Sequence, residues 1–135
     1  MKKIITTLML CCILISAFSL NVFAQDDDYG VMPCYDNVSR TSLSIIFDGT
    51  TGTAKGTATK VTGVDSLEGT IDVYQKVNGQ WEYVCSGSNS TTGRSLVVTA
   101  VFTAVANAEY KAVFTIIAYG ETTETIVTET TKTND

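Results

Sequence analysis

From Thr41 onward the chain alternates, with series of apolar residues at every second position. Leu67, Gly69, Ile71 and Val73 form one such series; Leu96, Val98, Ala100 and Phe102 form a second. Tyr110, Ala112, Phe114, Ile116 and Ala118 form a third. A period of two belongs to an extended strand with one buried face and one solvated face. No segment here keeps apolar residues at helical spacing over a helix length. The pattern therefore predicts no helix in this region beyond a single turn near residues 104–108. Thr, Val, Ile, Tyr and Phe dominate, the residue types that fit a pleated, half-buried surface. The 20 threonines after residue 40 supply its solvated side. The sole proline is Pro33, so no later strand is interrupted by one.

Turn residues divide the alternating region into seven predicted strands: 43–48, 52–60, 67–77, 81–87, 95–103, 109–119 and 122–131. Asn78-Gly79 is the strongest local signal. Both central residues of a type I′ turn need positive φ, and this dipeptide supplies them. Gly49-Thr50-Thr51-Gly52-Thr53 reads as a turn rather than a phosphate loop. Short strands at this spacing predict an all-β, antiparallel two-sheet sandwich. The last strand is thinner in apolar content. It is expected at an edge, where Glu124, Glu129 and Lys132 would oppose edge-to-edge pairing.

The segment Ala108-Glu109-Tyr110-Lys111-Ala112-Val113-Phe114-Thr115-Ile116 resembles the tyrosine-corner strand of immunoglobulin-like and fibronectin type III sandwiches. The resemblance implies that the Tyr110 hydroxyl bonds back to the backbone just before it. Other hallmarks are missing. Cys34 precedes the first predicted strand, Cys85 follows the hairpin, and Trp81 lies past the turn instead of on the third strand. The expectation is an Ig-like architecture of about seven strands, not an antibody-type domain. The full chain also resembles small uncharacterised secreted proteins of Gram-positive bacteria. That likeness implies no particular activity.

The N-terminus bears on compartment. Lys2 and Lys3 precede an apolar run from Leu8 to Ile15, and Val22-Phe23-Ala24 suits a signal peptidase. Ser16, Ser19 and Asn21 break the run before the roughly 20 residues that a spanning helix needs. Cys11 and Cys12 lack the small preceding residues of a lipoprotein site. The expected organisation is a cleaved signal peptide at 1–24, an extended arm at 25–40 and a β-sandwich at 41–135. The expected localisation is secreted and extracellular, with no membrane association after cleavage. The ending Thr131-Lys132-Thr133-Asn134-Asp135 is no sorting tail, which favours release.

Loss of Lys2 and Lys3 would leave seven basic residues against 14 acidic ones. That balance argues against nucleic acid or an anionic lipid surface as partner. Of four cysteines, Cys34 and Cys85 would remain. An exported chain with an even count is expected to form one disulfide. Such a bridge would be worth about 4 kcal/mol in the chain-entropy picture. Two free thiols are the alternative.

The chain has no histidine. Ser-His-Asp and Cys-His nucleophile systems cannot be assembled from it, nor can a four-ligand structural zinc site from two cysteines. Asp48, Asp65, Glu68, Asp72, Glu82 and Glu109 read as strand-end or outward-facing carboxylates rather than a glycosidase pair. Asp26-Asp27-Asp28 lacks the spaced ligands of a calcium loop. Asn37-Val38-Ser39 and Asn89-Ser90-Thr91 match the glycosylation pattern, which in a bacterial chain is accidental. No cofactor and no catalysis are expected.

The remaining clue is aromatic. Tyr74 is out of phase with Ile71 and Val73, and Trp81 and Tyr83 sit across the hairpin from it. Exposed ring faces bind sugars and anchor interfaces. The competing reading is that Trp81 and Tyr83 cover the core edge. The expected function is a secreted, non-enzymatic module that binds an extracellular or cell-surface glycan or protein. The alternative is a secreted effector, either antimicrobial or a protease inhibitor that presents Arg94 on a loop at 86–94.

Overall fold

The structure, a computed structural model, describes residues 34–135; the expected signal peptide and the start of the arm lie outside the described residues. Seven strands follow in order: β1 (Val38–Asp48), β2 (Thr51–Lys60), β3 (Ser66–Val77), β4 (Gln80–Thr91), β5 (Ser95–Thr103), β6 (Glu109–Tyr119) and β7 (Thr123–Thr133). All pairings are antiparallel. They form a three-stranded sheet, β1-β2-β5, and a four-stranded sheet, β4-β3-β6-β7. This is an Ig-like sandwich. It differs from the constant immunoglobulin arrangement, where the fourth strand joins the sheet of the first two; here β4 pairs with β3.

Two boundaries differ from the sequence expectation. β1 begins at Val38, five residues early, so the end of the expected arm is strand. Its partner explains this: β2 runs to Lys60, and Val38 pairs with that residue across a register shift before Arg40. β4 runs on to Thr91 because β3 offers partners as far as Leu67. Residues 86–91 are therefore strand, and the presented loop expected at 86–94 shrinks to a short turn at 92–94. The last expected strand does lie at an edge, β7.

The alternation places the core as the sequence implies. Leu67, Ile71, Val73, Leu96, Tyr110, Phe114, Ile116 and Ile126 are buried between the sheets. β2 turns only Gly52, Ala54, Gly56 and Ala58 inward, because rings from other strands fill that space. A Cβ on Gly56 would come within 2.7 Å of the Phe114 ring. Tyr110 is fully buried, and its hydroxyl accepts a hydrogen bond from Val105 N–H at 2.8 Å. That bond closes the tyrosine corner.

The two sides of the sandwich close differently. On one side, alternate residues of β4 meet the free carbonyl edge of β5. Asn89 Nδ2 donates to Val97 O at 2.9 Å, and Cys85 Sγ lies 3.8 Å from Val101 O. Between them, Gly87 packs directly against Thr99 O, leaving no room for a side chain. An exposed strand edge is thus blocked without a further strand. On the other side, the Glu124 carboxylate of β7 accepts from the N–H groups of Asp36 and Asn37 at 3.2 and 2.8 Å. Glu124 therefore ties down the arm instead of repelling a neighbouring edge.

The disulfide expected between Cys34 and Cys85 is not formed. Cys34 lies two residues before Asp36, which is bonded to β7, while Cys85 is on β4. Those strands are opposite edges of the larger sheet, roughly 14 Å apart at three strand spacings. A bridge needs Cα atoms within about 7 Å.

Candidate functional site

The outer face of the larger sheet carries the aromatic group. The Asn78-Gly79 turn has φ of 51° and 80° at its two residues, the type I′ pattern. A two-residue turn fixes the register of its hairpin, so Lys76 stands opposite Trp81 and Tyr74 opposite Tyr83. On the other flank of β3, Tyr74 pairs with Lys111 of β6.

Strict alternation would put Trp81, Tyr83 and Cys85 on one face. The structure separates them with a β-bulge. Val73 pairs with Cys85 and Tyr74 with Tyr83, so Val84 is an extra residue without a partner. Both Val84 and Cys85 pack against the core. Below the bulge the phase of β4 is reversed, and Trp81 and Tyr83 face outward with Tyr74.

The three rings and two lysines form one group. The Tyr74 and Tyr83 rings meet edge to face, centroids 6.0 Å apart at 77°. Lys111 Nζ lies 4.7 Å from the Trp81 ring and 5.4 Å from the Tyr74 ring. Lys76 Nζ lies 5.5 Å from the Trp81 ring and 2.9 Å from Glu109 Oε2. Exposed cation–π contacts of this kind contribute about 0.5–1 kcal/mol each, and the exposed ion pair at most about as much. These contacts orient the rings more than they stabilise the fold. Tyr83 remains 60% exposed. The surface is open, with donors at its centre and ring faces around them.

The structure thus brings Tyr74, Trp81 and Tyr83 together as the sequence suggested. It adds Lys76, Lys111 and Glu109. Lys76 was legible from the hairpin register; Lys111 and Glu109 arrive only through the pairing of β3 with β6.

The remaining candidates are dispersed. Among the described residues no group of three or more acidic or thiol side chains is placed to hold a metal ion. Burial, with a smaller contribution from the Asp72 charge, raises the Cys85 thiol above its ordinary range. That opposes formation of the nucleophilic thiolate. Tyr119 donates to Glu68 Oε2 at 3.1 Å, and this bond raises the phenol above its usual range. Arg94 does not stand at the tip of a projecting loop. It follows the turn and lies against β2, where its carbonyl accepts from Lys60 N–H at 3.0 Å.

No family model matches the chain, and no curated protein matches it. Among solved structures, the chain is similar to CsgH of R. palustris, with a TM-score of 0.45 and 13% identity over 65% of this chain and 88% of that one. It is also similar to Spo0M, a sporulation control protein of Bacillus subtilis, with a TM-score of 0.39 and 10% identity. That likeness covers 70% of this chain and 49% of Spo0M, so the chain spans about half of that protein. Neither likeness carries an activity to this chain.

Proposed function

We propose that this protein is a secreted, non-enzymatic module that binds an extracellular or cell-surface glycan through the outer face of β3 and β4. The observation that carries this reading is the exclusion of Tyr74, Trp81 and Tyr83 from the core. The bulge at Val84 turns Trp81 and Tyr83 outward beside Tyr74. Tyr83, 60% exposed, forgoes much of the about 1.5–3 kcal/mol that full burial of a large side chain gives, while Tyr74 and Trp81 stay half-buried. A cluster of outward-facing rings suits the apolar face of a sugar, and the amines of Lys76 and Lys111 suit its hydroxyls. The basic and apolar leader sequence supports export. The missing histidine and the raised Cys85 thiol leave little to catalyse a reaction with. A protein ligand would use the same face, since aromatic clusters also anchor interfaces.

The test is binding of the protein to a glycan array and to whole bacterial cells, with Trp81→Ala and Tyr83→Ala alongside. The expected result is retention of specific glycans by the parent and loss by both variants, with unchanged unfolding midpoints. Equal retention by Trp81→Ala would remove the face from consideration. Retention on cells but on no glycan would transfer the site to a protein ligand.

A further inference from the structure

A second feature lies on the other sheet, at the other end of the sandwich. The chain contains two arginines, Arg40 and Arg94. Both line one shallow cleft with Ser39 and Thr59. Arg94 also lines the adjoining cleft with Lys60 and the 61–64 turn. Strand pairing explains the convergence. Arg40 on β1 is opposite Thr59 on β2, and Thr59 is opposite Ser95 on β5. Arg40, Thr59 and Ser95 therefore form one cross-strand row on the solvated face, with Arg94 and Lys60 at its border.

No carboxylate among the described residues neutralises these cations. Among the described residues the one salt bridge is Lys76 to Glu109, and neither guanidinium donates a hydrogen bond to another residue. Lys60 is pinned by backbone carbonyls, its amine donating to Asp65 O at 2.8 Å and Thr92 O at 2.7 Å. Glu124, the carboxylate that ties the arm at this end, is engaged by the N–H groups of Asp36 and Asn37. Hydroxyls complete the cleft: Ser39 Oγ donates to Thr59 O at 3.1 Å, and Thr59 Oγ1 lies 3.5 Å from Ser95 Oγ. In a chain with 14 acidic and nine basic residues, gathering both arginines beside a fixed lysine raises their mutual repulsion. An anion would relieve it.

We propose that this cleft binds a phosphate group. One carboxylate is satisfied by a single bidentate guanidinium. Two guanidiniums around one cleft, with a lysine in the adjoining one, match a group with three acceptor oxygens and close to two negative charges, as a phosphomonoester has. The site is independent of the aromatic face, which lies on the opposite sheet.

The test is a titration of the ¹⁵N-labelled full chain in low-salt buffer, followed by amide spectra. The probes are inorganic phosphate, glycerol 3-phosphate and, as a carboxylate control, glucuronate. Both phosphates are expected to shift the amides of Arg40, Thr59, Lys60, Arg94 and Ser95 to saturation at millimolar probe. Arg40→Gln and Arg94→Gln, both at exposed positions, each weaken binding about tenfold, about 1.4 kcal/mol. Trp81→Ala leaves it unchanged. Tighter binding of glycerol 3-phosphate assigns the site to a phosphorylated alcohol, and tighter binding of inorganic phosphate to the free ion. Equal binding of glucuronate overturns the phosphate assignment. Shifts scattered over the surface lysines, or no shift in a chain whose spectrum shows it folded, overturn the site.

Discussion

Tyr83 stands directly opposite Tyr74 on the solvated face of the larger sheet, the two rings meeting edge to face at 6.0 Å. Two residues further along β4, Cys85 stands opposite Val73 and faces the core. Positions two apart in a regular strand share a face, so this placement exists only because Val84 is accommodated as a bulge.

Deleting Val84 is therefore expected to regularise β4 rather than invert it. Tyr83 and Cys85 become consecutive, and their pairings with Tyr74 and Val73 continue without a shift. The variant folds, keeps Trp81 on the outer face, and loses about 1 kcal/mol for the partly buried valine. Emission from Trp81, the only tryptophan, stays at the parent wavelength. A marked blue shift would mean that the deletion drives the indole inward, and that the bulge does not set the face.

Tyr110→Phe tests the tyrosine corner. The substitution keeps the ring and leaves the Val105 N–H without its partner. An unmet polar group in a part-buried site costs about 1–3 kcal/mol. The urea midpoint should fall with an unchanged slope, and an unchanged midpoint would show the bond to be dispensable.

Gly87→Ala addresses the closed side of the sandwich. The added methyl meets the Thr99 carbonyl, a backbone atom that cannot swing aside. Overpacking of this kind costs about 1–3 kcal/mol, and separation of β4 from β5 should show as faster amide exchange in β5. A neutral outcome by calorimetry would show that β4 and β5 can part by the width of a methyl group without cost.

The Cys85 thiol should react slowly. Burial first, and the Asp72 charge second, raise its pKa in the folded protein. Cys34 is exposed, so at mildly alkaline pH a thiol reagent labels it ahead of Cys85. The sign for stability follows from linkage. The unfolded thiol ionises at lower pH than the folded one, so the folded state binds more protons between the two pKa values. This contribution is fully present below the ordinary thiol range and is lost as pH rises through it to the raised folded value. Cys85→Ala should flatten that decline, which urea titrations across alkaline pH would measure. Equal labelling rates for the two thiols would contradict the burial.

Much of this protein is written locally. A period of two names the inward face, and Leu67, Ile71, Leu96, Phe114 and Ile116 are buried where it puts them. Asn78-Gly79 carries its own turn geometry, and a two-residue turn sets the hairpin register, so even Lys76 opposite Trp81 follows from adjacent residues. What tertiary structure alone decided is which distant segments share an edge or a face. Lys111 reaches Tyr74 and Trp81 only because β6 pairs with β3. Arg40 and Arg94 line one cleft only because β2 lies between β1 and β5. Cys34 and Cys85 stand near opposite edges of one sheet, and an even cysteine count carries no information about that distance. The face of a residue is set by backbone geometry within a few bonds. Strand order is set by how two whole sheets bury their apolar faces together, a sum over the chain that no short stretch contains.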